Sequence, residues 1–128
     1  MRYVMLIYAN PTSWEHPMYL QYEGQTDSER AELTREFDAL LEEVTASGEW
    51  AGGERLAAPE TTATVRVRDG AVMTTDGPYA ESKEYLAGYL LLDCETRERA
   101  EQIAARMPDS RLCAVELRPV MVASGMEM

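Results

Sequence analysis

Two segments of the chain are apolar at nearly every position, RYVMLIYA at residues 2–9 and GYLLLDC at residues 88–94. These runs lack the polar alternation of a strand with one wet face, and they are rich in aromatic and branched side chains. They are therefore typical of strands in the interior of a sheet. A sheet built around two such strands needs a cover on both faces, and this requirement restricts the fold more than any other feature of the sequence.

Two amphipathic segments supply a cover for one face. Thr26 and Glu29 have the spacing of a capping box, apolar residues recur after them at helical intervals, and Gly48 is placed to end the helix. A second helix is predicted to begin at Thr96 and to end before Pro108. We expect both helices to pack on the same face of the sheet.

The remaining segments read as strands and turns. Asp69 and Gly70 are the residues preferred in a type I′ turn, so the alternating segments around them predict a β-hairpin. Arginines and valines alternate in its first strand, and we expect one covered face and one wet face. The Gly52–Gly53 pair is typical of a bulge or of a close backbone approach. These strands are predicted at residues 50–57, 61–68, 71–75 and 113–120.

The resulting order is β-α-β, hairpin, β-α-β. This is the order of a ferredoxin-like α+β fold, in which two helices pack on one face of a mostly antiparallel sheet. One domain, residues 1–122, accounts for the pattern, and residues 123–128 are expected to form a frayed tail. The second face of the sheet is left without a cover. A second copy of the chain would bury that face symmetrically, so we predict a homodimer.

The charge balance excludes several classes of partner. Twelve Lys and Arg against 23 Asp and Glu give a net charge of −11, which repels nucleic acid and anionic lipid. The basic residues are scattered rather than clustered. The first apolar run is too short to span a membrane, and no small-residue cleavage site accompanies it. We expect a cytoplasmic protein that contacts neither nucleic acid nor membrane.

The sequence offers few ligands for a metal or a cofactor. Cys94 and Cys113 stand far apart and outside any CxxC pair, and His16 is the single histidine. His16 precedes a proline in a long loop, which aims it poorly at a haem. The signatures GxGxxG, GxxxxGKS or GxxxxGKT, and GxSxG are absent. We therefore predict two reduced, buried cysteines, no metal and no cofactor.

The stretch TTDGPYAESKEY, residues 74–85, combines a turn with a cluster of charges. Its Asp-Gly-Pro tripeptide is turn chemistry, because Asp accepts backbone N–H groups, Gly takes a positive φ and Pro presets its own φ. Turn formation does not account for Glu81, Lys83 and Glu84, which follow at once. The stretch is either a structural connection or a turn that also builds a site.

Several spaced motifs resemble the DGPF branch of the YCII-related family. They are GGERL, TTATVRVRDG, TTDGPYAESKEYLAGY and VELRPV, in this order, together with the opening RYVMLIYA. Tyr79 and Ser82 stand where that branch usually has Phe and Thr, and both keep a similar shape. The resemblance covers nearly the whole chain. It implies a dimeric α/β barrel of ferredoxin-like protomers and a cleft whose chemistry is mostly unassigned.

The resemblance implies less about the reaction. In the better-studied YCII branch a histidine on the first helix works with an aspartate, and one member is a dehydrochlorinase acting on a hydroxyquinol. The first helix predicted here contains no histidine, so that pair is not carried over. The DGPF branch is often encoded beside extracytoplasmic-function sigma factors, which suggests a regulatory setting.

Seven residues are candidates for a site. Asp76 in an apolar cleft would be a general base, and Lys83 would hold an anionic substrate or a developing enolate oxygen. Each also has a structural alternative, as a turn cap for Asp76 and as an ion-pair partner for Lys83. The candidates for binding are Glu81, Arg118, Arg55, His16 and Tyr8. Their alternatives include an ion pair of Arg118 with Glu116, a solvated His16 and a core position for Tyr8.

Two functions are compatible with these patterns. The first is a cofactor-independent enzyme of the lyase, isomerase or cyclase type that acts on a small, aromatic or polyketide-like molecule. The second is a metabolite-binding or regulatory module, for which a sigma factor is one partner to consider. A catalyst needs a carboxylate in a dry pocket beside room for a substrate, whereas a docking module needs an exposed apolar surface outside the dimer interface.

Overall fold

The computed structural model of the protein describes residues 1–10, 14, 24–79 and 84–122. The predicted tail at residues 123–128 lies outside this part of the chain. A short 3₁₀ turn, Pro59–Thr61, precedes the hairpin. The helices and strands in chain order are β1 (Arg2–Ala9), α1 (Asp27–Ala46), β2 (Trp50–Arg55), β3 (Ala63–Arg68), β4 (Ala71–Asp76), β5 (Tyr85–Asp93), α2 (Arg97–Arg106), α3 (Asp109–Leu112) and β6 (Ala114–Pro119).

The main sheet has the strand order β2-β5-β1-β6, and every neighbouring pair is antiparallel. The two apolar runs form its central strands, β1 and β5, as their sequences predict. Strands β3 and β4 pair only with each other, in a separate two-stranded sheet. The main sheet therefore has the ferredoxin-like order, with the β3–β4 hairpin inserted between its second and third strands, and the predicted α+β fold is confirmed.

The two faces of the main sheet differ in burial. On β1 the odd-numbered side chains from Tyr3 to Ala9 are buried, and the even-numbered ones are half-buried or exposed. The buried face packs against Leu40 of α1 and Ile103 of α2. We call the other one the open sheet face. It carries Val4, Leu6, Tyr8, Leu86, Tyr89 and Leu91 from β1 and β5, and Leu86 is 42% exposed.

Both long helices begin at the residues that the sequence predicts. The Thr26 hydroxyl accepts a hydrogen bond from the Glu29 N–H at 3.1 Å, and the Thr96 hydroxyl accepts one from the Arg99 N–H at 3.1 Å. Gly48 follows α1 with φ +81°, a conformation that costs glycine little. These caps are local interactions, which is why spacing alone located them.

The glycine pair in β2 makes both a bulge and a close contact. The pairing register with β5 shifts between Trp50 and Gly52, and Gly52 has φ +138°. A methyl group on Gly53 would stand 2.7 Å from the Tyr89 carbonyl oxygen and 2.9 Å from the Trp50 ring. The absence of a side chain at Gly53 thus lets the Trp50 ring lie against the strand.

The hairpin confirms its predicted turn and corrects its predicted packing. Asp69 and Gly70 have φ values of 50° and 78°, as a type I′ turn requires. However, Val65, Val67 and Val72 are 56–70% exposed, so the face that carries the valines is not covered by the described residues. Local turn chemistry defines the hairpin, and the main sheet does not bury it.

An ion-pair cluster joins α1 to α2. Arg99 donates hydrogen bonds to the two carboxylate oxygens of Glu49 at 2.8 and 2.9 Å and to Glu43 at 3.1 Å. The hydrogen bonds from Arg99 lower the pKa of Glu49 to about 2. Because the folded pKa is depressed, this pair contributes stability above the ordinary carboxyl pKa, and the contribution is lost as the pH falls towards 2. The cluster holds the two helices together above the sheet.

Two further findings concern the predicted state of the cysteines and the search for a membrane-spanning helix. Neither Cys94 nor Cys113 forms a disulfide, and Cys94 is buried as predicted, whereas Cys113 is only half-buried. Burial raises the pKa of the Cys94 thiol. Among the described residues, no helix has both the length and the apolar character needed to cross a bilayer.

Candidate functional site

A cleft of about 360 Å³ lies between α1, the edge of the main sheet at β2, and the start of α3. Its walls are mostly apolar and come from Ile7, Phe37, Trp50, Leu90 and Met107. Four ionisable side chains also line it, Asp38, Glu54, Arg55 and Asp109. An apolar cleft of this size with a few polar groups is typical of a small-molecule site.

Asp109 is the buried acid of this cleft. It is 3% exposed and is the first residue of α3, directly after Pro108. Burial raises the pKa of its carboxyl group to about 6, although its own backbone N–H and the positive charge of Arg55 act in the opposite direction. A carboxyl group with a pKa near 6 can both accept and donate a proton around neutral pH.

Arg55 supplies the positive charge. It ends β2, pairs with Gly88 across the sheet, and lines the same cleft as Asp109. Its charge affects the Asp109 carboxyl, yet the ion pairs of the described residues, which extend to 4 Å, do not include Arg55 with Asp109. The two groups therefore face one cleft without neutralising each other by direct contact.

The remaining charges of the cleft are exposed carboxylates. Asp38 lies on α1, and Glu54 precedes Arg55 on β2. With Asp109 ionised, the cleft lining has three carboxylates and one guanidinium, and so an excess of negative charge. An anionic molecule would be repelled by this arrangement, whereas a neutral one would not.

Asp76 does not line this cleft. It ends β4 and is exposed. Gly77 has φ +95°, its N–H donates to the Thr62 carbonyl at 2.7 Å, and its own carbonyl accepts from the Thr64 hydroxyl at 2.8 Å. The Asp-Gly-Pro segment therefore closes the base of the hairpin. A site at Asp76 stays a prediction.

Three predicted site residues, Glu81, Lys83 and His16, lie outside the described residues. The positions of Glu81 and Lys83 relative to the cleft are therefore still predictions. On the N-terminal side of the charge cluster, the nearest described residue is Tyr79, whose ring centroid lies 4.7 Å from the guanidinium of Arg66. This contact holds Tyr79 against the hairpin.

Tyr8 and Arg118 lie on the open sheet face. Tyr8 pairs with Ala114, and Glu116 and Arg118 follow on the same face of β6. Partial burial and the neighbouring Glu116 carboxylate raise the pKa of the Tyr8 hydroxyl. The expected ion pair of Glu116 with Arg118 is not among those of the described residues. Of the predicted binding residues that the structure describes, Arg55 alone lines the cleft.

Sequence patterns missed the acid of the cleft. In the segment MPDS, residues 107–110, the sequence predicts only the end of the second helix, at Pro108. In the structure this segment starts the short helix α3, in which the Ser110 hydroxyl donates to the Met107 carbonyl at 2.7 Å. The one available signal was the Asp that follows Pro108 directly, and an Asp at a helix start is more often a cap.

Sequence comparison places the chain in a family. Residues 1–124 match the model of the YCII-related domain. The chain belongs to the YCII-related family. An uncharacterized protein of Rhizobium meliloti (strain 1021) is 29% identical to it over 90 residues, which cover 69% of this chain and 73% of the relative. The narrower resemblance of this YCII-related protein to the DGPF branch, which rests on the motif around Asp76, stays a prediction.

The described residues of the YCII-related protein contain no group of three or more His, Cys, Asp or Glu side chains that could hold a metal ion. The three carboxylates of the cleft are not such a group.

Proposed function

We propose that this YCII-related protein, a member of the DGPF branch, is a cofactor-independent enzyme that moves a proton on a small molecule, as lyases, isomerases and cyclases do. The observation that carries the proposal is Asp109, a carboxylic acid that is 3% exposed and lines a largely apolar cleft. Buried carboxyl groups are seldom left without an ion-pair partner for structural reasons alone, because burial penalises the charged form.

The cleft has the features that such a reaction requires. Asp109 can take a proton from the substrate and return it to another atom, since burial brings its pKa close to neutral. Phe37 and Trp50 provide apolar walls, which hold a ring and exclude water from the acid. Neither step needs a metal or a nucleotide.

The test is deuterium exchange in D₂O, followed by NMR, on a panel of small carbon acids that includes 1-indanone, 1-tetralone and cyclohexanone. We expect the wild-type protein to catalyse exchange into at least one of them. Asp109→Asn keeps the size of the side chain and removes the base, so the rate should fall by about 10² or more. Asp69→Asn, at the exposed hairpin turn, is the matched control and should leave the rate unchanged.

The same experiment separates the cleft from the Asp76 segment. If Asp76→Asn abolishes exchange and Asp109→Asn does not, the base is in the hairpin segment and the proposal for Asp109 is wrong. If the wild-type protein exchanges no member of the panel faster than buffer, the proposed enzymatic function is contradicted.

We also propose that the protein is a homodimer formed through the open sheet face. Leu6 and Leu91 lie there only half-buried, and Leu86 is 42% exposed. Glu116 and Arg118 lie two residues apart on the same face of β6. These opposite charges can pair with those of a second copy across a twofold axis.

Sedimentation velocity at micromolar concentration should give twice the 14.4 kDa mass of one chain. Leu91→Glu should produce the single-chain mass, because it places a charge in the middle of the interface. Val67→Glu, on the hairpin, should remain dimeric. A wild-type mass of one chain would refute the dimer.

A regulatory module remains the second candidate, and the hairpin is the observation in its favour. Val65, Val67 and Val72 form an exposed apolar surface on the separate two-stranded sheet. A protein partner, such as a sigma factor, would use a surface of this kind. Wild-type protein without exchange activity and with a hairpin-dependent partner would support this candidate over the enzyme.

A further inference from the structure

We propose that the substrate of the cleft is a neutral, enolisable carbonyl compound of one or two rings, and that Arg55 stabilises the oxyanion formed when Asp109 removes a proton from it. This inference rests on the proposed function and adds to it the class of substrate and the role of a second residue. It comes from the placement of Arg55, Asp109 and the apolar walls around one cavity.

The separation of Arg55 from Asp109 is the first argument. Both side chains line the same cavity of about 360 Å³, and the charge of Arg55 is felt at Asp109. They are nevertheless not among the ion pairs of the described residues within 4 Å. If the Arg55 guanidinium were already paired with the Asp109 carboxylate, it would bind a second anion poorly. Here a substrate can lie between the two groups, with its acidic C–H towards Asp109 and its oxygen towards Arg55.

The charges around Asp109 are the second argument. Asp38 contributes a carboxylate from α1, Glu54 contributes one from β2, and Arg55 is the cationic residue among those lining the cavity. A substrate that arrives as an anion adds negative charge to a cleft that already has an excess of it. A neutral substrate adds none, and proton transfer leaves the total unchanged, because Asp109 becomes neutral as the substrate becomes an anion. The charge moves towards Arg55, which is where it is stabilised.

The proton-transfer step is balanced without a co-reactant. The Asp109 carboxylate takes the proton from the carbon next to the carbonyl, the electrons of the broken C–H bond form a C=C bond, and the carbonyl π electrons move onto the oxygen. The oxyanion then faces Arg55. Return of the proton from Asp109 to a different carbon completes an isomerisation, and departure of a β-substituent with its bonding electrons completes an elimination.

The walls restrict the shape of the substrate. Trp50 lies against the strand because Gly53 has no side chain, and its ring faces the cleft together with Phe37. Flat apolar surfaces of this kind favour a planar ring over a flexible chain. The cavity volume is near the lower end of the range for ligand sites, which is suited to one or two rings.

The test uses 4-nitrophenol, whose phenolate resembles an enolate in charge and planarity and is identified by its visible absorption. Asp109→Asn mimics the protonated acid, so it should bind 4-nitrophenolate about tenfold or more tightly than the wild-type protein does, because one negative charge has been removed. Adding Arg55→Met to that variant should abolish this increase in affinity for 4-nitrophenolate. Arg97→Met, an exposed arginine of α2 that pairs with Glu101, is the matched control and should retain it.

A second probe separates charge from shape. 4-Nitroanisole has the same ring and cannot ionise, so its binding should be the same with and without Arg55→Met. If the Asp109→Asn variant binds 4-nitrophenolate no more tightly than the double variant does, Arg55 does not stabilise an oxyanion and the inference is wrong, even where exchange in D₂O shows that the proposed function holds. Arg55-dependent phenolate binding without any exchange would instead refute the proposed function, and with it the assignment of Arg55 to a proton-transfer step.

Discussion

Replacing Asp109 with Asn will stabilise the folded protein at pH 8, by on the order of 3 kcal/mol. The pKa of this carboxyl is raised from 3.8 to about 6 in the fold, so the native state holds the proton more tightly than the unfolded chain does. Above both pKa values the buried carboxylate is charged, and the native state is destabilised by the full free energy that corresponds to the difference between the folded and unfolded pKa values. The Asn side chain has no charge to bury.

The pH dependence distinguishes this effect from a change in packing. The free energy of unfolding of the wild-type protein should fall as the pH rises from 5 to 8, because Asp109 ionises in this interval. The Asp109→Asn variant should not show this fall. Urea unfolding at several pH values in that interval measures the difference. The interval avoids the titration of Glu49, whose depressed pKa has the opposite effect below pH 4.5. Asp69→Asn should follow the wild-type curve, and a variant curve parallel to the wild type would contradict the raised pKa of Asp109.

Gly53→Ala will destabilise the protein by about 3 kcal/mol. The added methyl group would stand 2.7 Å from both the Tyr89 carbonyl oxygen and the Leu90 side chain. The carbonyl belongs to the central strand β5 and cannot move without disturbing the pairing of β2 with β5. Overpacking against a backbone atom therefore lies at the upper end of the usual range of about 1–3 kcal/mol.

A second glycine provides the control for Gly53. Gly48→Ala introduces strain at φ +81° but has no atom within 4 Å of the added methyl group, so it should cost about 1 kcal/mol. Urea unfolding of the two variants separates the cost of overpacking from that of backbone strain. Gly53→Ala should also weaken the binding of 4-nitroanisole, because the displaced Trp50 ring is a wall of the cleft. Equal stability of the two alanine variants would show that Trp50 and Leu90 adjust freely.

The candidate site was only partly predictable, because its members are far apart in the sequence. Arg55 was a binding candidate and lines the cleft, whereas Tyr8 and Arg118 lie on the open sheet face. Asp109 was not a candidate at all. A side chain's burial depends on which elements pack over it, and no spacing rule predicts that the start of α3 and the end of β2 line the same cleft.

The elements whose signals are local were determined by the sequence alone. Thr26 caps α1, Asp69 and Gly70 turn the hairpin, and the apolar run of β1 predicts a central strand, since each depends on residues close together in the chain. The tertiary structure alone decided that the valines of the hairpin stay exposed and that Asp109 is buried in a cleft. Burial results from contacts between segments that are distant in the sequence. The same contacts raise the pKa of Asp109 and form the cleft that it lines.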